Sequence, residues 1–377
     1  MTIAFVSVLL NIHQIGIADE LYKLSSGNFW FIETGIANEE TKKGGEDFSS
    51  RPYLIRPFRS KNDREKTISI IRDVDVLIYG AAPLVFFKER VKTGKLTFQY
   101  GERWFKRGII NIISPRLIKQ QFFYHTHCYN KPIYALCSSA YGADDYKKLF
   151  SYKNKCYKWG YFTAVKNLNI NLIIEKKRNV STLKILWVAR FLKWKHPERM
   201  LQLAFMLKNH NTNFVINMIG TGETLDKSKK IADELGVSEY VKFLGSMSNE
   251  DVLHQMQNHH IFCLTSDKNE GWGAVLNEAM SNGCCPVASI ECGASPYLIK
   301  NGVNGLLFNP KKKHDFYNKI IFLIDNKEKR EKMSISAYHT MHDMWSPKVA
   351  TERLFKLSES LIGGEPIVYK EGPCSKA

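Results

Sequence analysis

The sequence predicts an α/β protein built from two parallel-sheet domains, and three observations carry that prediction. Its 377 residues exceed what one hydrophobic core ordinarily serves and suit two domains of about 150 to 200 residues. Apolar, strand-like runs alternate with helical patterns along most of the chain, the pattern of parallel strands joined by crossover helices. The alternation lapses between Tyr161 and Thr182, where Asn, Lys and Arg accumulate. Domains are therefore expected over residues 1–165 and 166–345, with 346–377 as a closing segment.

The strand-like runs, in order, are Ile3–Leu10, Phe29–Glu33, Val74–Tyr79, Leu96–Tyr100 and Ile133–Ser138 in the first part. The second part offers Lys184–Ala189, Asn213–Ile219, Val241–Leu244, His260–Thr265 and Cys285–Ser289. Residues 1–12 are apolar but lack a basic leader and a small-residue cleavage site, so they read as the opening strand, not a signal peptide. The longest apolar run, Val76–Phe87, is broken by Gly80 and Pro83 and falls short of the roughly 18 residues of a membrane-spanning helix. With 44% apolar and 24% charged residues, the chain has a globular composition, which excludes a disordered protein.

Eight cysteines include no Cys-x-x-Cys pair, so neither a zinc site nor a disulfide scaffold is expected, and reduced thiols point to the cytoplasm. The net charge of +17 is uneven, because residues 51–131 hold 17 Lys and Arg against 6 Asp and Glu. That surplus calls for an anionic partner or a solvated basic face.

Two nearly equal α/β domains place ligands at the carboxyl ends of their strands, in the cleft between domains. The richest such loop is Cys263 to Glu278, continuing to Gly283. A strand ends near Thr265 and a helix begins near Gly273. Gly271 and Gly273 allow close backbone approach, and the first free amides of the helix favour an anion such as phosphate. Glu270 precedes the helix and Glu278 lies within it, so two acceptor-only carboxylates are available for paired hydroxyls of a ribose or a sugar ring. In a second constellation, Leu186–Pro197, Arg190 and Lys195 bracket a strand-to-helix loop, a guanidinium fork and a point charge suited to a diphosphate.

Gly220-Thr221-Gly222 follows a third strand, but Leu225 stands where a dinucleotide fingerprint needs a small residue, and no acidic residue ends the next strand. A nicotinamide enzyme is disfavoured. Asp73-Val74-Asp75 precedes a strand instead of following one, so no metal is expected there. His125 and His127 sit in an aromatic helical stretch and read as packing or surface residues. There is no Gly-x-Ser-x-Gly elbow and no Walker-type loop.

Taken in order, Arg190 with Lys195, Gly220-Thr221-Gly222, Phe243-Leu244-Gly245, Glu270-Gly271-Trp272-Gly273 and Glu278–Gly283 resemble the C-terminal half of a retaining glycosyltransferase of the GT-B fold, family 4, also called group 1, of the bacterial polysaccharide and lipopolysaccharide type. Gly293–Pro296 and Asn301–Gly305 extend the match. The resemblance implies two Rossmann-like domains facing a central cleft, acceptor-side first and nucleotide-sugar-binding second, with a C-terminal helix crossing back to the first. It implies a UDP- or GDP-linked sugar as donor substrate, no cofactor and no metal. Glu270, Arg190 and Lys195 would be catalytic, with the cations neutralising the diphosphate leaving group. Gly220, Met247, Gly271, Trp272, Gly273, Ala274, Val275 and Glu278 would bind the donor, with Met247 against the base and Glu278 at the ribose.

The N-terminal half departs from the family pattern. The first loop reads Asn11–Gly16 without a Gly-Gly pair, and the strand Val76–Tyr79 ends in Gly80-Ala81-Ala82, without the usual histidine. His13, Glu102 and Arg103 are the candidates to replace it. Trp104, Phe105, Ile109, Ile110, Ile112 and Ile113 are interleaved with Arg103, Lys106, Arg107, Arg116 and Lys119, which reads either as a peripheral surface for anionic lipid on the inner face of the plasma membrane or as a buried helix with snorkelling basic side chains. The resulting expectation is a cytoplasmic glycosyltransferase acting on a lipid-linked or glycan acceptor in polysaccharide assembly. Its rivals are a GT-B phosphorylase or nucleotide-sugar epimerase, and a non-enzymatic nucleic-acid-binding protein. The last is disfavoured because the basic stretch lacks recognisable nucleic-acid modules.

Overall fold

The computed structural model describes residues 1–35, 48–58, 60–106, 108–210, 212–365 and 367–377. The chain forms two units, Met1–Ala164 together with Trp345–Ala377, and Val165–Met344.

In the first unit, β1 (Ile3–Ser7), β2 (Phe29–Glu33), β3 (Leu54–Ile55), β4 (Val76–Tyr79), β5 (Thr97–Gly101), β6 (Ile133–Cys137) and β7 (Cys156–Lys158) form one sheet in the order β3-β2-β1-β4-β5-β6-β7. Its named strand pairs are parallel, with Ile3 opposite both Phe29 and Val76. β1 is buried at all five positions, which is why it reads as a continuous apolar run and not as an alternating one. Asp75, just ahead of β4, accepts from the Thr2 amide at 2.7 Å and its hydroxyl at 3.0 Å, so it fastens the start of β1 to β4. The Arg90 guanidinium is fully buried and donates to the carbonyls of Ile71, Val74, Asp75 and Leu96 at 2.6 to 3.0 Å. Those carbonyls solvate a charge that burial otherwise penalises, and burial lowers its pKa to about 10. The closing helix Pro347–Ile362 packs on helix Ile15–Leu24 in this unit.

In the second unit, β8 (Leu183–Val188), β9 (Phe214–Ile219), β10 (Val241–Gly245), β11 (Ile261–Leu264), β12 (Cys285–Ser289) and β13 (Leu306–Phe308) are arranged β10-β9-β8-β11-β12-β13, again parallel. The order reverses at β8, so the crossovers leave a topological switch point beside β8 and β11. Trp187, Met200, Leu201, Ile216, Met218 and Ile261 share the core beneath it.

All ten predicted strands are present within a residue or a few of their expected ends. β3, β7 and β13, of two or three residues each, are additions at the sheet margins. All eight cysteines are free and buried. No helix among the described residues is long and apolar enough to cross a membrane.

Candidate active site

The residues singled out in the second half leave the carboxyl ends of neighbouring strands of one sheet. Arg190 and Lys195 follow β8, Gly220 follows β9, Met247 follows β10, and Glu270 to Val275 follow β11. β8 gives way to a single 3-10 turn, Lys193–Lys195, closed by His196 at φ 52°, and helix Glu198–Leu207 starts after Pro197. Two loops are stitched together here. The Thr265 hydroxyl donates to the Lys195 carbonyl at 2.7 Å and accepts from the Trp187 indole at 2.8 Å, and the Asp267 amide donates to the Trp194 carbonyl at 3.0 Å. The His196 ring spans Glu198 at 2.7 Å and Asp267 at 3.3 Å. Its hydrogen bond to Glu198 raises its basicity above that of an ordinary histidine.

That scaffold places Lys195 against Glu270. Their side chains are ion-paired, and 12% and 11% exposed, so the pair is largely withdrawn from water. The Ser266 hydroxyl donates to Glu270 at 3.0 Å, and the Lys195 ammonium lies 4.2 Å from the centre of the Trp194 ring. A carboxylate fixed by two donors still has lone pairs for ligand hydroxyls. Arg190 is exposed, and its side chain has no hydrogen bond or ion pair among the described residues. The two cations therefore do not form a matched clamp in this state: Lys195 is committed to Glu270 and Arg190 is free.

Gly273 sits at φ 96°, and a Cβ there would lie 3.3 Å from Glu270 Cγ, so only glycine lets the chain turn this close behind the carboxylate. The helix that follows is Val275–Ser281, and among the described residues no acceptor is present for the amides of Gly273, Ala274 and Val275. Those amides point to an anion. Glu278 is half-buried and accepts from the Asn249 side chain at 3.2 Å. Loss of water around it raises its carboxyl above the usual range.

Packing gives Gly220 and Trp272 roles within the fold. Gly220 stands at φ 131° with Ala189 O only 2.0 Å from where a Cβ would be, and its amide donates to Gly245 O at 2.7 Å. It is a close-approach glycine that lets the loops after β8 and β9 touch, with no free amide for phosphate. Trp272 is 1% exposed, and its indole donates to Asn277 at 2.9 Å, so it braces the loop from inside. Gly271 is also buried, whereas Met247 is half-buried beyond β10. Sequence reasoning missed His196, Thr265, Asp267 and Asn249. The polar run Thr265-Ser266-Asp267 directly after an apolar strand was the available signal for two of them.

In the first unit, His13 and Glu102 line a cavity of about 530 Å³ together with Asn11, Gln14, Tyr100 and Tyr161. The cavity lies where β1, β5 and β6 end. His13 stacks on Tyr161 at 5.6 Å, and burial lowers its basicity. Glu102 accepts from the Tyr161 hydroxyl at 2.7 Å and pairs with Lys106. Arg103 is a correction: its guanidinium grips the fully buried Asp145 carboxylate at 3.1 and 3.2 Å and stacks on Tyr141, so it serves the fold and does not line the cavity. His125 and His127 bond to the Leu149 carbonyl at 3.1 Å and the Thr126 hydroxyl at 2.6 Å. No group of three or more His, Cys, Asp or Glu able to hold a metal occurs among the described residues.

Comparison with known proteins finds likenesses to glycosyltransferases, chiefly over the second unit. Residues 170–340 match the family of glycosyl transferases group 1. An uncharacterized glycosyltransferase of Methanocaldococcus jannaschii is 27% identical over 191 residues, 50% of this chain and 48% of that one. The lipopolysaccharide 1,6-galactosyltransferase of Salmonella typhimurium is 33% identical over 134 residues, 35% of this chain and 36% of its own. The chain spans about half the length, or less, of the curated relatives it matches. Anabaena HepE, solved in complex with UDP, superposes with a TM-score of 0.70 at 14% identity, covering 96% of this chain and all of that one. This likeness concerns the fold, and it agrees with two parallel-sheet α/β units of the GT-B class.

The raised Glu278 carboxyl has a consequence for stability. The folded state holds this proton more tightly than the unfolded chain does, so stability is lost as pH rises from the ordinary glutamate range through the raised value. Glu278→Gln should therefore raise the melting temperature more at about pH 8 than at about pH 5.5, where less of the ionisation cost has been incurred. Thermal melts of the two proteins at both pH values check this. An equal gain at both would mean the carboxyl is not strained by burial.

Proposed function

We propose that the protein is a metal-independent, retaining glycosyltransferase. It takes a sugar from a UDP- or GDP-linked donor and passes it to a lipid-linked or glycan acceptor in bacterial polysaccharide synthesis. The single observation that carries this reading is the arrangement after β8 and β11, where Lys195 and Glu270 pair beside the unclaimed amides of Gly273, Ala274 and Val275. Lys195 and Arg190 supply positive charge for the departing diphosphate, the amides add donors, and Glu270 orients the sugar through its hydroxyls. Glu278 takes the ribose diol. The Salmonella relative is a lipopolysaccharide galactosyltransferase by name, and HepE binds UDP, which supports the donor class and the setting.

Association with an anionic membrane surface belongs to the same proposal. Ile109, Ile110, Ile113, Ile118 and Phe122 are all more than half exposed, and Phe122 and Ile110 reach 70%. Arg116 and Lys119 lie on the same short helix as Ile118 and Phe122. Trp104 and Phe105, by contrast, turn inward against Leu117 and Leu149, and Arg107 lies outside the described residues. Apolar side chains beside cations suit an interfacial contact with acidic headgroups.

A thermal-shift series with UDP- and GDP-sugars, with and without EDTA, tests the core of the proposal. One donor at saturating concentration should stabilise the protein by about 2 to 4 kcal/mol, equally in EDTA. No response to any nucleotide sugar, or a response abolished by EDTA, counts against it. Release of nucleoside diphosphate only when an acceptor is present separates transfer from phosphorylase and epimerase chemistry.

A further inference from the structure

A cavity of about 960 Å³ lies in the first unit at the start of β7, where Phe150, Lys147, Lys153, Asn154 and Lys376 are among its lining residues. It sits at the amino end of an edge strand, whereas the residues proposed for catalysis follow strand carboxyl ends. The backbone beside it is unusual. Phe150, Tyr152 and Asn154 stand at φ 54°, 52° and 59°, a left-handed conformation that bulky L-residues avoid. The surroundings enforce it: the Tyr152 amide donates to the Tyr124 hydroxyl at 2.9 Å, its own hydroxyl bonds Gln99, and the Ser151 amide donates to Tyr146 O at 3.0 Å.

This arrangement leaves Phe150 81% exposed. Around it, Lys147 and Lys153 are exposed without partners among the described residues, and Lys376 reaches across to the Asn154 carbonyl at 2.8 Å. Asp144 is the opposing side-chain carboxylate in the lining. Backbone held against its preference at a recess with unpaired cations is the kind of outlier from which a binding role is argued.

We propose that this recess binds an anionic oligosaccharide. The Phe150 ring offers an apolar platform for the C–H face of a pyranose, the lysine ammoniums pair with carboxylates carried on the sugar, and the exposed Asn154 amide answers ring hydroxyls. A bilayer contact fits less well, because Lys147, Lys153, Asn154 and Lys376 form polar walls around this recess, unlike the isoleucine-rich segment at residues 109–113. The proposal rests on the reading of the protein as a glycan-building enzyme and adds a second, non-catalytic hold on a charged chain.

Tetragalacturonate is the probe, with neutral maltotetraose as its control, titrated calorimetrically into the whole protein. Tetragalacturonate should bind in a salt-sensitive manner, and maltotetraose at least about tenfold more weakly. Lys147→Gln with Lys153→Gln should weaken tetragalacturonate by about tenfold or more. Phe150→Asn should weaken both sugars without lowering the melting temperature, since asparagine accepts the left-handed conformation. No binding to the wild type, or variants within about twofold of it, overturns the proposal. So does Phe150→Asn releasing the protein from phosphatidylglycerol vesicles while oligosaccharide binding persists. Transfer to a small acceptor is measured in parallel: its absence would sink the transferase reading without touching the binding result.

Discussion

Glu270→Gln should cut turnover by about 10²- to 10³-fold, the usual cost of removing one preorganised charge from a polar active site. Glutamine keeps the size of the side chain and a carbonyl oxygen for Ser266 and Lys195, so the loop retains its bonds. What it removes is the anion that fixes the Lys195 ammonium. With both side chains nearly nine-tenths withdrawn from water, their attraction is only weakly screened, and the position of Lys195 depends on it. A freed ammonium would sample other rotamers, and the charge proposed to meet the leaving diphosphate would no longer be preorganised. Steady-state turnover and a melting curve on the same preparation check this. Near wild-type turnover in a folded variant would show that the pair is a structural salt bridge and that the site has been misplaced.

Most of the ten longer strands were legible as apolar runs bounded by polar sequence; β1, β4, β11 and β12 are buried throughout, and burial on both faces needs no alternation. β3 and β13 were not, since two or three residues leave no periodicity to read. The loop after β11 was legible in part. Glycines at 271 and 273 signalled close approach, and Glu270 does meet Lys195, but nothing in the spacing distinguishes Trp272 as an internal brace from Trp272 as a ligand contact. That distinction depends on Asn277, one helical turn away, accepting from its indole. Gly220 is similar: the absent side chain makes room for the Ala189 carbonyl of a neighbouring loop, which local pattern does not reveal. Arg103 looked available because its partner, Asp145, lies 42 residues away in sequence. Side chains whose roles are set by long-range partners are the ones that local pattern cannot assign.

Acid should unfold the second unit steeply, and the cause is a pair of adjacent histidines. His259 and His260 are 1% and 6% exposed, and burial drives the basicity of each down to about 4. His260 uses both ring nitrogens, bonding the Lys184 amide at 3.1 Å and the Lys177 carbonyl at 2.9 Å. The nitrogen facing the amide must accept, so a second proton there breaks the bond at the start of β8. Lys177, Lys184 and Arg330 add repulsion. The unfolded chain binds these protons near pH 6.5 and the folded chain only near 4. Stability is therefore full above about pH 6.5 and is lost as pH falls from there toward 4. Each histidine should cost about 3 kcal/mol by about pH 4. Two together amount to about 6 kcal/mol, comparable with the whole net stability of many domains. In the middle of that range the unfolding free energy should fall by about 2.7 kcal/mol per pH unit from these two groups. Denaturant titrations across the range measure the slope, and His259→Gln should reduce it by about half of that amount. An unchanged slope in the variant would assign the acid sensitivity to carboxylates elsewhere.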